Sequence, residues 1–474
     1  MKMNKFLLIS FISALVLTSC QDDRDDNISN INELANQENI KDFIWKAMNV
    51  FYVYKSNAPD LADDRFENTP DYRDFLNRID SPIDFFFSLL ARQDRFSFIV
   101  SDFVTLEQSL DGISRSNGMA FGLNQLGTTN AVFGYVRYVV PGSPADVAGL
   151  ERGVIFNRID GNLLTIESNF NLLLSPNTYT IGIAELQNRN LTSIDQEISL
   201  NKVQLTENPI HEHKVLDVDG QKVGYLMYNN FRTPFNAELN SIFSNFASEG
   251  ITDLVLDLRY NSGGSIETCK DLSSMITGQF NGEVFAKQLF NENFSPEDII
   301  FDNEISTGET INSLNLTRVY VLTSPSSASA SELLINALNP YIDVIQIGDT
   351  TEGKFEGSAT LYDSPDFTRR DVNLNHTYAI QPLILKTANK VGFTDFFNGL
   401  EPDILQKENF ENLGKLGDPE ELLLNRALQE ISPGFAPSSL SQEKNQVPVN
   451  RIGENQMFDP TYQRMYIDSN SLSF

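Results

Sequence analysis

Ser326-Ser327-Ala328-Ser329-Ala330-Ser331-Glu332 lies between a β-like run, Arg318-Val319-Tyr320-Val321-Leu322, and an apolar run, Leu333-Leu334-Ile335-Asn336-Ala337-Leu338. The order is that of a strand, a tight serine turn and a helix. A serine at such a junction has its hydroxyl where the free amides and positive dipole end of a helix collect. That position suits a nucleophile, and it equally suits a cap. Ser329-x-x-Glu332 also fits the capping-box pattern, which needs no chemistry at all.

The neighbouring segments repeat the alternation. Lys222 to Tyr228 reads as a strand, and Leu239, Ile242, Phe243 and Phe246 fall on one helical face. Leu254-Val255-Leu256-Asp257-Leu258-Arg259 is apolar enough for a strand buried on both faces. It runs into Tyr260-Asn261-Ser262-Gly263-Gly264-Ser265, where a glycine pair lets backbone amides approach another group closely. Val344 to Gly348 is a further strand, followed by a loop carrying Gly353-Lys354. Strand, helix and loop alternate to residue 352, so 206–431 reads as an α/β unit. It closes on an Asp-Pro-started helix from Asp418 to Ile431.

Upstream, residues 40–107 carry apolar residues at helical spacing, among them Phe43, Ile44, Ala47, Met48, Phe51 and Tyr52. They are expected to form a small helical domain, with Trp45, Ile83, Phe85, Phe86 and Phe87 in its core. From Gly118 the texture changes to short strands and turns. Pro141-Gly142-Ser143-Pro144-Ala145, Ala148-Gly149-Leu150 and Ile155-x-x-x-Ile159-Asp160-Gly161 follow in order, and this series resembles a PDZ domain over 108–205. That resemblance implies that Phe121, Gly122 and Leu123 bind a peptide: the amides near Gly122 and Leu123 receive its carboxylate, and its chain adds to the sheet edge. A structural β-domain with an occluded groove is the competing reading.

The chain begins with a basic Met1-Lys2-Met3-Asn4-Lys5, a short apolar run from Phe6 to Leu17, and Leu17-Thr18-Ser19-Cys20. This resembles a bacterial lipoprotein signal over 1–19, with Cys20 as the lipidated residue and 20–39 as an acidic, polar tether. It implies an outer-membrane lipoprotein facing the periplasm or the cell surface. The tail 432–474 is rich in Ser, Asn, Gln and Pro and is expected to be disordered or loosely docked.

With 35 basic residues against 64 acidic and a net charge of −29, nucleic-acid binding is disfavoured. Two cysteines, one of them Cys20, leave no intramolecular disulfide once that residue is lipidated. Cys269 is expected to be a buried helix residue. Three histidines, His211, His213 and His376, without metal-ligand spacing argue against a zinc site, and no cofactor or metal is expected.

Asp257-Leu258-Arg259-x-Asn261-x-Gly263-Gly264, Ser327-Ala328-Ser329-Ala330-Ser331-Glu332 and Gly353-Lys354, set behind a PDZ-like unit, together resemble the C-terminal processing (tail-specific) serine proteases. The similarity spans roughly 108–405. The separation of 25 residues between Ser329 and Lys354 is that family's spacing of nucleophile and base. The resemblance implies a multidomain α+β and α/β chain with a protease core of the ClpP/crotonase-like kind. Ser329 is then the nucleophile and Lys354 the general base, with Ala330 and the Gly263-Gly264 loop as oxyanion hole. Substrates are proteins or peptides with exposed C-termini. Glu332 is a candidate helper. Ser358 stands where many members have a lysine-orienting glutamine, so the third group is open. Ser324, Ser326, Ser327 and Ser331 read as capping and turn residues. A PDZ-bearing binding lipoprotein with a degenerate protease fold is the alternative.

Overall fold

The computed structural model describes residues 24–394, 396–436 and 448–471. The lipoprotein-like signal and Cys20 lie outside these residues.

The central sheet has six strands in the order Ile210–Val218, Gln221–Tyr228, Asp253–Asp257, Arg318–Thr323, Asp343–Gly348 and Ile404–Leu405. The first pair is antiparallel and the others are parallel. Side chains alternate between its faces. Leu226, Leu254, Leu256, Val319 and Val321 face one core, shared with the helices Asn236–Glu249, Ile266–Thr277 and Ala330–Leu338. Tyr225, Met227, Val255, Tyr320 and Leu322 face the other, where the helix Leu422–Ile431 packs. Burial on both faces explains the apolar runs read as strands.

Residues 119–201 form a separate antiparallel sheet around Phe121, Leu123, Phe156 and Ile181. Ile113–Ser116 pairs with Val203–Thr206 where the chain enters and leaves it. The N-terminal region is helical, with Arg24–Phe51, Thr69–Leu76 and Pro82–Ser88, but it also contributes the strand Phe98–Val100. The first of these helices begins inside the stretch expected to be a linker. Phe85 and Phe86 are buried as expected, whereas Ile83 and Phe87 are exposed. Trp45 is only partly buried, and its Nε1 donates to Asp60 O at 2.9 Å.

The main correction concerns the end of the chain. Val449–Glu454 and Met465–Tyr466 are strands, not disordered tail. The first pairs antiparallel with Met119–Leu126. The second enters another six-stranded sheet between Gly264–Ser265 and Glu356–Ser358. Polar composition signalled disorder because the segment has little apolar surface of its own. Its backbone partners come from two distant parts of the chain.

A buried ionic cluster joins these units. Arg259, fully buried, donates to both carboxylate oxygens of Glu421 at 2.7 and 2.9 Å and also contacts Asp257. Glu408 receives Arg152 at 2.8 Å and Tyr260 Oη at 2.5 Å. Burial pushes the Glu408 carboxyl up, but Arg152 and Arg259 outweigh it and hold it at about 2. Removing Glu421 takes away both oxygens of the bidentate contact and leaves the fully buried guanidinium with two of its donors short of a partner. Glu421→Ala is therefore expected to cost ~3–5 kcal/mol, read as a lowered denaturant midpoint.

Candidate active site

Ser329 follows the strand Arg318–Thr323 and immediately precedes the helix Ala330–Leu338. Its backbone has φ 66° and ψ −115°, a conformation that non-glycine residues adopt only when their surroundings enforce it. The enforcing group is Glu332. Its carboxylate accepts Ser329 N at 2.7 Å and Lys354 N at 2.9 Å on Oε2. Oε1 accepts Thr351 Oγ1 at 2.6 Å and Gly353 N at 2.7 Å. One buried carboxylate thus ties the serine turn to the lysine loop. Burial pushes Glu332 up to about 7, against these four donors.

The capping-box arrangement of Ser329 and Glu332 is therefore present, with the glutamate side making the close contact. The serine side is loose: Ser329 Oγ is buried and makes no hydrogen bond of good geometry among the described residues. Lys354 Nζ is in the same state, and Lys354 is fully buried. Native interiors rarely leave such groups unpaired, and those that do occur need a reason. The lysine amine stands 5.0 Å from the centroid of the Phe96 ring. Burial drives its pKa well below the ordinary value, and the Arg464 guanidinium adds to this, against Glu356, Asp94 and Glu332. A lysine serves as a base only in its neutral form, which burial of this kind favours.

The glycine loop abuts the serine. A Cβ on Gly263, where φ is +119°, would stand 2.7 Å from Ser329 Cβ and 2.5 Å from Arg464 O. Its two amides differ in use. Gly263 N donates to Asn261 Oδ1 at 2.9 Å, so the structure spends this expected oxyanion donor inside its own loop. Gly264 N donates to the Arg464 carbonyl at 2.7 Å, the kind of acceptor an oxyanion hole is built to hold.

The other serines stitch loops together and do not cap the helix. Ser327 Oγ donates to Leu258 O at 2.8 Å and Ser331 Oγ to Asn261 O at 3.0 Å, anchoring the serine turn to the glycine loop. Ser324 Oγ donates to Arg259 O. Ser326 Oγ donates to Glu454 at 2.7 Å. Ser358 contacts Gln381 and Met465 O, each at 3.2 Å, and does not bond the lysine. Cys269 is buried in its helix, with Sγ donating to Ala330 O at 3.2 Å. His376 Nε2 pairs with Asp363 at 2.9 Å, His211 stacks obliquely on Tyr138, and His213 is exposed.

Phe121, Gly122 and Leu123 lie on the strand Met119–Leu126, whose open edge carries Val449–Glu454. Sequence reasoning missed Asp94, Phe96, Thr351 and Arg464 around the lysine. Thr351 sits three residues before the lysine, in the loop already singled out. Nothing in the spacing links the other three to it.

Residues 222–404 match peptidase family S41, and residues 39–98 match the peptidase S41 N-terminal domain. A carboxyl-terminal-processing protease of Picosynechococcus sp. is 25% identical over 218 residues, which are 45% of this chain and 49% of that protein. One of Synechocystis sp. is 23% identical over 331 residues, 69% of this chain and 68% of that protein. The chain thus spans about half the length of the first relative and 68% of the second. A crystal structure of a Bacteroides fragilis chain assigned to the S41 proteases superposes with a TM-score of 0.64 at 27% identity. That match covers 82% of this chain and 97% of the other.

The buried lysine has a consequence for stability. Its folded pKa lies below the unfolded 10.5, so keeping the lysine buried costs stability at every pH below 10.5. Lys354→Met removes that penalty. Relative to wild type it should stabilise the chain at neutral pH, and the gain should vanish as pH rises towards 10.5; denaturant midpoints of both chains across pH measure this.

Proposed function

From the premise that the chain carries the domains of the S41 peptidases, we propose that it is a serine endopeptidase whose nucleophile is Ser329 and whose general base is Lys354. One observation carries this reading. The hydroxyl and the amine are both buried and unpaired, while a single carboxylate grips the backbone of both residues. A fold that only needed a helix cap would hold the serine oxygen in a full hydrogen bond.

Neutral Lys354 takes the proton of Ser329 Oγ as the oxygen attacks a scissile carbonyl carbon. The resulting oxyanion is held by the amides of Ala330 and Gly264. Lys354 then gives the proton to the departing amine, leaving an ester on Ser329. Water, deprotonated by the same lysine, releases the acid and restores the serine. Glu332 holds the two residues in position. Gly263 gives room for the serine, since a Cβ there would crowd it.

Substrate capture belongs to the PDZ-like unit, with the strand edge at Phe121, Gly122 and Leu123 accepting the C-terminal end of a protein or peptide. Lipidation at Cys20 would place the enzyme at the outer membrane, on its periplasmic or surface side. Ser329→Ala is expected to abolish cleavage of an unfolded protein, by at least about a thousandfold. A wild-type chain with no cleavage that the variant loses would favour the non-enzymatic, peptide-binding reading.

The lysine base sets the sign of the pH dependence. Cleavage should rise with pH as Lys354 loses its proton and then level off; a kcat/KM flat from about pH 5 to 10 would exclude it. Glu332→Gln replaces one carboxylate oxygen by an amide NH2, which cannot accept from the backbone N–H that meets it there. It should lower kcat about a hundredfold and leave KM nearly unchanged, because it misplaces the pair without touching the bound peptide.

A further inference from the structure

Two clefts, of about 910 and 380 Å³, flank the site, yet neither is lined by Ser329 or Lys354. Ser329 and Lys354 are both 0% exposed. What separates them from solvent includes the end of the chain. Asn455 to Tyr462 borders the smaller cleft, which also reaches Phe121 and Ser262. Tyr466 to Ser469 borders the larger one, beside Ser265 and Thr360. Between the two clefts, Arg464 places its carbonyl on Gly264 N and its guanidinium over the Phe98 ring, 4.6 Å from the centroid.

The same segment fills the edge of the strand proposed to capture peptides. Val449–Glu454 runs antiparallel to Met119–Leu126, with Glu454 opposite Gly122 and Gly453 opposite Leu123. Phe121 N donates to Asn455 Oδ1 at 2.9 Å. The carboxyl-end direction of the segment points to the start of that strand, the polarity of a peptide added by its C-terminal end. Glu454 is fully buried and pairs with Arg137, itself buried, and with Arg451 at 2.9 Å. Any peptide replacing it must supply an anion to Arg137 or leave a buried cation unpaired.

We propose that residues 449–471 occupy the chain's own substrate channel in cis, so that the chain as folded is self-blocked and opens when this segment is displaced by an extended peptide. The inference rests on the reading of Ser329 as nucleophile. The segment takes the capture edge, sets the Arg464 carbonyl against the same Gly263 that Ser329 abuts, and accepts the Gly264 amide assigned to the oxyanion. A tethered segment competes at an effective concentration that an outside peptide reaches only when abundant or better matched.

The test uses the full chain. Glu454→Lys sets like charges against Arg137 and Arg451 and should eject the segment. Cleavage of an unfolded protein is then expected to rise about tenfold or more over wild type. A fluorescent synthetic peptide of residues 449–471 should bind Glu454→Lys saturably and leave the chain with its native tail unlabelled, both in a Ser329→Ala background. An unchanged cleavage rate in an active enzyme, or equal peptide binding by both chains, overturns the proposal. If binding separates the two chains and neither form with Ser329 cleaves, the tail assignment stands and the peptidase reading falls. If Glu454→Lys does not fold, an unrelated protease site inserted within 437–447 allows the segment to be cut loose after folding. Release on dilution with a faster rate supports the proposal, and a retained segment or an unchanged rate overturns it.

Discussion

The carboxylate of Glu332 is the contact on which the site depends. Four donors from two segments converge on it: Ser329 N on the serine turn, and Thr351 Oγ1, Gly353 N and Lys354 N on the loop that follows the next strand. The same grip holds Ser329 at positive φ, which would otherwise relax. A carboxylate can do this where a neutral acceptor cannot, because charged acceptors bind donors more strongly and have lone pairs for all four. The unbound hydroxyl and amine each forgo a hydrogen bond, at a cost of ~1–3 kcal/mol apiece. Glu332 and the dense apolar surroundings offset that cost and allow it to persist.

Around this contact the parallel sheet acts as a ruler. Asp253–Asp257, Arg318–Thr323 and Asp343–Gly348 are adjacent strands, so the glycine loop, the serine turn and the lysine loop emerge at the same end of the sheet. Ser327 and Ser331 fasten the serine turn to carbonyls of residues 258 and 261. The Arg259 cluster secures the other side of the glycine loop and ties it to Arg152 in the PDZ-like unit. Movement of that unit is therefore resisted by buried charge as well as by packing.

The second sheet places the end of the chain one strand in from its edge. Met465–Tyr466 lies between Gly264–Ser265 and Glu356–Ser358, strands contributed by segments far apart in sequence. Its pairings span about two hundred and about a hundred residues, so forming them carries a large loop-closure entropy. The glycine and lysine loops are thus carried by the central sheet and joined to the terminus by long-range pairing. Arg464, brought in by those pairings, also adds its charge to the burial that lowers the Lys354 pKa.

Much of this was legible in the sequence wherever the physics is local. The β-like run, serine turn and apolar run around Ser329 fold as strand, turn and helix because period and turn chemistry act over a few residues. The pairing of Ser329 with Lys354 was read through the resemblance carried by their spacing, and the glycine loop through its composition. Local rules could not say how tightly each half of the Ser329-x-x-Glu332 pattern binds, because the answer depends on donors brought by residues 351 to 354. They could not find Asp94, Phe96 or Arg464 beside the lysine, nor show that Gly263 N is taken by Asn261. They also misread 448–471, whose polar side chains hide a backbone that gains its order only from distant strand edges. The sequence by itself determined the elements and the chemically capable residues. Only the tertiary structure decided which of their polar atoms are bound, which are left free and what covers them, since each of these depends on partners remote in the chain.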